Sequence, residues 1–213
     1  MHQEKNIIPL YRMPIHLNDL QQMARSAYSG NTSLKIGDFT LFYATPTLKF
    51  YSDGHTIVVS VRGTQDARDA AADALLIVGK LNESERYKED LHTLLQIQEK
   101  YPRSEWNYIA VGHSLGGAII DRFLRAGLIR NALSYNPAPE PQEMGGNPYH
   151  RRIYHKDDPI YTIAGRFIPG IEVRSGNDSF WNILLKYAFP GGSLLNSYHR
   201  HLLGTFTGGF KNG

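Results

Sequence analysis

The sequence predicts an α/β fold: a mainly parallel central sheet, flanking helices and an antiparallel hairpin near the N-terminus. Three observations predict it. Short apolar, β-branched runs alternate with stretches of helical periodicity through most of the chain. Thr47–Tyr51 and His55–Arg62 flank Ser52-Asp53-Gly54, which reads as a hairpin turn. Tyr108-Ile109-Ala110-Val111 runs straight into Gly112-His113-Ser114-Leu115-Gly116, and Gly117 opens a segment apolar at Ile119, Ile120, Phe123 and Leu124. There a buried strand must turn into a helix within a few residues.

In chain order, residues 1–16 read as an irregular N-terminal extension with Pro9 and Pro14. Residues 17–28 place Leu17, Leu20, Met23, Ala24, Ala27 and Tyr28 on one helical face, and Ser29-Gly30-Asn31 ends that helix. Thr40–Ala44 is a strand, and the hairpin follows it. Thr56–Val61 is rich in β-branched residues, as a central strand is. Residues 66–78 are Ala-rich and helical, with Asp66, Arg68, Asp69 and Asp73 on the polar side. They read equally as a lid or as a packed helix. Ser84–Lys100 is a long helix showing Leu91, Leu94, Leu95 and Ile97, closed by Tyr101-Pro102. Arg130–Tyr135 and Arg151–His155 are further strands, with a Pro-rich loop over Asn136–Pro141 between them. Residues 162–195 carry no clear period. Within them Phe180–Phe189 reads as a helix over the core, with docking at a lipid surface through Trp181 and Tyr187 as the alternative. A lid would fall in 66–80 or 163–195. The 213 residues read as one domain over 1–213, with 207–213 a C-terminal tail.

Composition excludes several function classes. With no cysteine there is no disulfide, no thiolate metal site and no cysteine nucleophile. Lys and Arg are scattered, and no nucleic-acid motif is present. The net charge of +3 is compatible with an anionic membrane surface. The first residues lack the apolar core of a signal peptide, and no run approaches the apolar length of a membrane span. A soluble, cytoplasmic protein is expected.

The chemistry centres on Ser114. A serine in so sharp a strand-to-helix turn has a strained backbone and needs side-chain-free neighbours, hence Gly112 and Gly116. Its hydroxyl is pushed out over the sheet edge, a nucleophile elbow. The Leu115 N–H at the helix start faces a developing oxyanion. The central strand Thr56–Val61 leads into Arg62-Gly63-Thr64, where a close turn presents Thr64 at the strands' C-terminal edge, the usual ligand edge of open α/β sheets. Thr64 is the second candidate oxyanion donor. A serine hydroxyl needs an imidazole base and a carboxylate to orient it, in the chain order nucleophile, acid, histidine. Lys156-Asp157-Asp158-Pro159 follows the strand Arg151–His155, so Asp158 is the candidate acid and Asp157 its substitute. Beyond Asp158 the only histidines are His199 and His201, and spacing does not choose between them. His113, His150 and His155 read as structural. The chemistry calls for no metal and no organic cofactor.

These residues together resemble the class 3, fungal triacylglycerol lipase-like family of the α/β-hydrolase fold, over roughly residues 20–206. Val58-Val-Ser-Val-Arg-Gly-Thr64 is similar to the family's oxyanion turn, and Asp73 to an Asp in the segment after it. Ile109-Ala-Val-Gly-His-Ser-Leu-Gly-Gly-Ala118 resembles its elbow, and Asp158-Pro159-Ile160 its acid segment. The resemblance implies Ser114, Asp158 and a histidine as triad, and Thr64 and Leu115 as oxyanion donors. The family's histidine is commonly followed five residues later by an aromatic residue. His201 with Phe206 fits this and His199 with Gly204 does not. Alanine stands where the family usually has an aromatic residue after the oxyanion turn, and Ile77-Val-Gly-Lys-Leu81 replaces an H-x-G-F segment. The implied activity is hydrolysis of carboxylic esters of lipids, as a triacylglycerol lipase or phospholipase, with transient contact at a membrane surface. The alternatives are an esterase or thioesterase acting on small soluble substrates, and an inactive relative that binds lipid or a partner.

Overall fold

The structure is a computed structural model. It describes residues 15–29, 34–64, 80–139, 146–155 and 161, and the backbone of 171–174. One sheet of eight strands runs through it: β1 (Lys35–Ile36), β2 (Phe39–Ala44), β3 (Leu48–Ser52), β4 (Thr56–Val61), β5 (Asn107–His113), β6 (Asn131–Tyr135), β7 (His150–His155) and β8 (Ile171–Arg174). Each strand lies beside its predecessor in the chain. The pairs from β1 to β4 are antiparallel and those from β4 to β8 are parallel. Among the described residues the α-helices are α1 (Leu17–Ser26), α2 (Glu85–Lys100) and α3 (Leu115–Arg125). The expected class, α/β with a parallel centre, flanking helices and an antiparallel N-terminal part, is the observed one.

Local chemistry accounts for the elements. The hairpin between β3 and β4 closes where Asp53 Oδ1 accepts from the N–H groups of His55 (2.9 Å) and Thr56 (2.7 Å), and Gly54 supplies a φ of 96°. Ser84 caps α2 by accepting from the Tyr87 N–H at 3.2 Å. Every residue of β4 is buried, as a strand covered on both faces must be.

Alternation along the strands sorts the core into two layers. Phe50, Val59, Val61, Tyr108 and Ala110 pack on the face covered by α2 and α3. Tyr51, Val58, Ile109, Val111 and Leu133 pack on the opposite face, against Leu20, Met23 and Ala24 of α1. Ser60 interrupts the second face, and its hydroxyl donates to the Met23 carbonyl at 2.7 Å. The buried Lys49 ammonium donates to the carbonyls of Ser26 and, at 3.0 Å, Ser29. The sheet thus satisfies the carbonyls at the end of α1 and fixes where that helix stops.

Several boundaries differ from expectation by a residue or two, and three of these have a local setting. The first helix is regular only to Ser26 and ends in a turn through Tyr28, where Ser60 and Lys49 of the sheet add donors to its Met23 and Ser26 carbonyls. The hairpin's first strand starts at Leu48, since Thr45 and Leu48 bond to each other across Thr47. The third helix begins at Leu115, two residues before Gly117. Two strands carried no sequence signal. β1 has only 2 residues, and β8 is defined by its pairing, Arg152 opposite Ile171 through His155 opposite Arg174. Among the described residues no helix is long and apolar enough to cross a membrane.

Phe123 of α3 is fully buried, with its ring centre 5.9 Å from that of Tyr87 on α2. Phe123→Ala should cost about 3–5 kcal/mol, read from urea unfolding at constant m-value. A loss under about 1 kcal/mol would mean that α2 and α3 do not share this core.

Candidate active site

Ser114 occupies the junction between β5 and α3 with φ 55° and ψ −123°, outside both strand and helix regions. A non-glycine residue there stores about 1–3 kcal/mol of strain unless its surroundings over-determine it. They do. The Ser114 N–H donates to the Tyr135 carbonyl at 3.1 Å, and its carbonyl accepts from Gly117 (2.9 Å) and Ala138 (3.0 Å). The neighbouring glycines permit the turn by close approach. A Cβ on Gly112 would stand 2.6 Å from the Gly116 carbonyl oxygen. One on Gly116 would run into the Val61 carbonyl. The expected sharp strand-to-helix turn is therefore present, with Ser114 only 1 % exposed. Leu115 is the first residue of α3, so its N–H is a first-turn donor with no intrahelical acceptor.

The second candidate donor lies alongside. β4 and β5 are parallel, with Val61 opposite Gly112, so both turns leave the sheet at the same edge. A Cβ on Gly63 would stand 2.6 Å from the His113 carbonyl oxygen and 3.0 Å from the Ser114 Cβ. Only glycine lets the Arg62-Gly63-Thr64 turn press against the elbow. Among the described residues, the Thr64 hydroxyl is buried without a hydrogen-bond partner.

His113 is structural, as its position in the elbow suggests. Its Nδ1 shares a 2.7 Å hydrogen bond with the Tyr28 hydroxyl, and the two rings meet edge to face. Tyr28 carried only a core signal in the sequence. Asn136, within the expected loop, sits at φ 42°, a conformation Asn tolerates better than most residues. Its N–H donates to the Ile153 carbonyl at 2.8 Å and its Oδ1 accepts from the His155 N–H at 2.8 Å, joining the ends of β6 and β7. The Asn-Pro dipeptide signalled the turn but not this clasp. β7 ends at His155, on the same edge as Ser114. Asp157, Asp158, His199 and His201 lie outside the described residues, as do residues 66–79 of the lid candidate 66–80 and all of the candidate 163–195, with Phe180–Phe189 in it, except the backbone of 171–174.

No family model matches the chain, and no curated protein matches it. A lipase from Rhizopus microsporus var. chinensis is a similar solved structure. It is 19 % identical over 72 % of this chain and 72 % of that one, with a TM-score of 0.46. The likeness is distant.

A second serine, histidine and aspartate meet beneath α3. Asp121 is a pure acceptor, so His150 Nδ1 donates to it at 2.9 Å. His150 Nε2 then accepts from the Ser134 hydroxyl at 2.8 Å. This is the donor order of a serine-hydrolase triad, and forward-looking chain order missed it because the acid and histidine bracket the serine. All three groups are buried, Ser134 and Asp121 at 0 % exposure and His150 at 3 %. Ser134 is the next-to-last residue of β6, paired with Gly112 of β5 and covered by Gly117 of α3. Asp121 is also held by Arg125 Nε (2.5 Å) and Arg152 Nη2 (3.1 Å). The cluster bolts α3 to β6 and β7. Burial pushes His150 down to about 4 against the pull of Asp121, so their contact is a hydrogen bond from a neutral ring. Burial alone would raise Asp121, but the bonds from His150 and Arg125 and the charge of Arg152 hold it at about 2.

Both shifts make the fold acid-sensitive. Unfolded His150, near its ordinary 6.5, binds a proton that the folded ring refuses until about pH 4, so stability is lost as pH falls through that window. The Asp121 contribution, complete above 3.8, is lost as pH falls toward 2. The urea midpoint of wild type should drop more steeply between pH 6.5 and about 4 than that of His150→Gln. Parallel curves would mean that the folded ring takes up its proton over the same pH range as the unfolded one.

Proposed function

We propose that this chain is a serine hydrolase cleaving carboxylic esters of lipids through an acyl-enzyme on Ser114. One observation carries the reading. Ser114 is held at φ 55°, ψ −123° between a parallel strand and a helix N-terminus, with a Gly-Thr turn pressed against its Cβ. No packing need calls for a serine in that conformation. A nucleophile that must project from the sheet edge does call for it.

In this reading Ser114 Oγ attacks the acyl carbonyl and His201 takes its proton. The negative charge that develops on the carbonyl oxygen meets the Leu115 N–H and Thr64. His201 returns the proton to the leaving alcohol as the ester C–O bond breaks, leaving the acyl-enzyme. A water deprotonated by His201 then attacks the acyl carbon, the bond to Ser114 Oγ breaks as His201 returns the proton to that oxygen, and the carboxylic acid departs. Asp158 orients His201. Its place three residues beyond the end of β7 suits a carboxylate leaving the sheet at the Ser114 edge. The lipid preference follows from the motif resemblance over Val58–Thr64 and Ile109–Ala118.

The Ser134–His150–Asp121 connectivity offers a rival nucleophile, and one experiment separates the two. A fluorophosphonate, applied with and without detergent and followed by peptide mapping, should label Ser114. Label should vanish in Ser114→Ala and His201→Ala and survive in His199→Ala and Ser134→Ala. Thr64→Val should slow labelling about 10²-fold, the usual effect of losing one oxyanion donor. An adduct on Ser134 would move the site to the buried cluster. No adduct on folded protein would leave an inactive lipid- or partner-binding relative. Hydrolysis of short soluble esters without response to micelles would favour the esterase or thioesterase alternative.

A further inference from the structure

The turn that carries Thr64 is held by more bonds than a strand exit needs, and two of them fall on a single peptide group. The Arg62 carbonyl accepts from Arg86 Nη2 of α2 at 2.7 Å, and the Gly63 N–H donates to the Tyr28 hydroxyl at 2.8 Å. That carbonyl and that N–H are the two ends of one planar unit. Side chains from opposite layers of the fold, α2 on one face and the end of α1 on the other, therefore grip the same plane.

Each grip is itself braced. Arg86 Nε donates to Asp90 Oδ2 at 2.7 Å, and Asp90 Oδ1 accepts from the Thr47 hydroxyl at 2.6 Å. The Thr47 carbonyl accepts from the Arg62 N–H at 2.9 Å, so the bonds close a ring from Thr47 through Asp90 and Arg86 back to Arg62. Asp90 is buried, with 1 % side-chain exposure, where a charge-assisted bond is strong and its geometry well defined. On the other side, Tyr28 also binds His113, the residue before Ser114. The clamp on the turn thus reaches into the elbow itself.

We infer that Arg86 and Tyr28 are positioning residues: by locking the Arg62–Gly63 peptide plane they hold the Thr64 turn in register with Ser114. With that plane fixed, the two dihedrals of Gly63 and the φ and χ1 of Thr64 separate it from the Thr64 hydroxyl, the donor that valine would remove. Gly63 is in turn confined by the His113 carbonyl and the Ser114 Cβ. Glycine at this site allows the approach and leaves the backbone soft. The two grips supply the stiffness that glycine cannot. An oxyanion donor works only if it is in place before charge develops, and small misplacements cost rate rather than binding. The inference rests on the esterase reading of Ser114 and Thr64.

The test uses the full chain, with p-nitrophenyl butyrate and a fluorophosphonate as probes. Arg86→Met and Tyr28→Phe should each lower kcat and the labelling rate about tenfold with KM within about twofold. Tyr28→Phe removes one oxygen only, which keeps the test valid if Arg86→Met misfolds by circular dichroism. In a Thr64→Val background the same substitutions should cost at most about threefold, because they act through that residue. Unchanged kcat in folded variants, a change in KM alone, or a full tenfold loss persisting in Thr64→Val would each overturn the clamp. A wild-type chain that neither labels nor hydrolyses would instead sink the esterase reading, and the clamp's purpose with it.

Discussion

The close approach of two backbones at the sheet edge is the constraint on which the rest depends. β4 and β5 run parallel and leave the sheet together, and the turn after β4 must pass within van der Waals reach of the elbow after β5. Gly63 and Gly116 make that passage sterically open. Nothing bulkier fits at either place without moving a main-chain carbonyl. Ser114 is the residue left between these surfaces, and its unusual dihedrals are the geometric consequence.

Strain of this kind persists only where the surroundings are rigid. The two layers supply that rigidity differently. On one face, α1 is docked through Ser60 and Lys49, which take its terminal carbonyls and so set the position of Tyr28. On the other, α3 is bolted to the sheet by Asp121 with His150, Arg152 and Ser134. Because α3 begins at the elbow, a bolt two turns along it holds the elbow from behind. A buried carboxylate with three partners favours one arrangement, since any slip of α3 would leave charge unpaired in the core. The resemblance of that cluster to a triad is therefore a matter of connectivity, with its chemistry directed inward.

Much of this was legible in the sequence. The β-branched run of β4, the Asp-Gly hairpin and the strand-to-helix switch at Gly112–Gly116 are local patterns, and each became the expected element. β1 was too short to show a period, and β8 is recognised only by its partner β7. Tyr28 and Arg86 were legible as a core residue and a helix residue, with nothing to mark their hydrogen bonds.

The sequence alone determined the class of fold, the elbow and the Gly-Thr turn, because periodicity, turn chemistry and the demand for glycine act between near neighbours. Tertiary structure decided that these two turns share one edge and press together, that Tyr28 and Arg86 grip the peptide between them, and that His150 serves the core. Tyr28 and His113 are 85 residues apart, and Asp121 and His150 are 29 apart. No local period encodes such pairs. They exist only once the sheet has set its strand order and brought both layers down upon it.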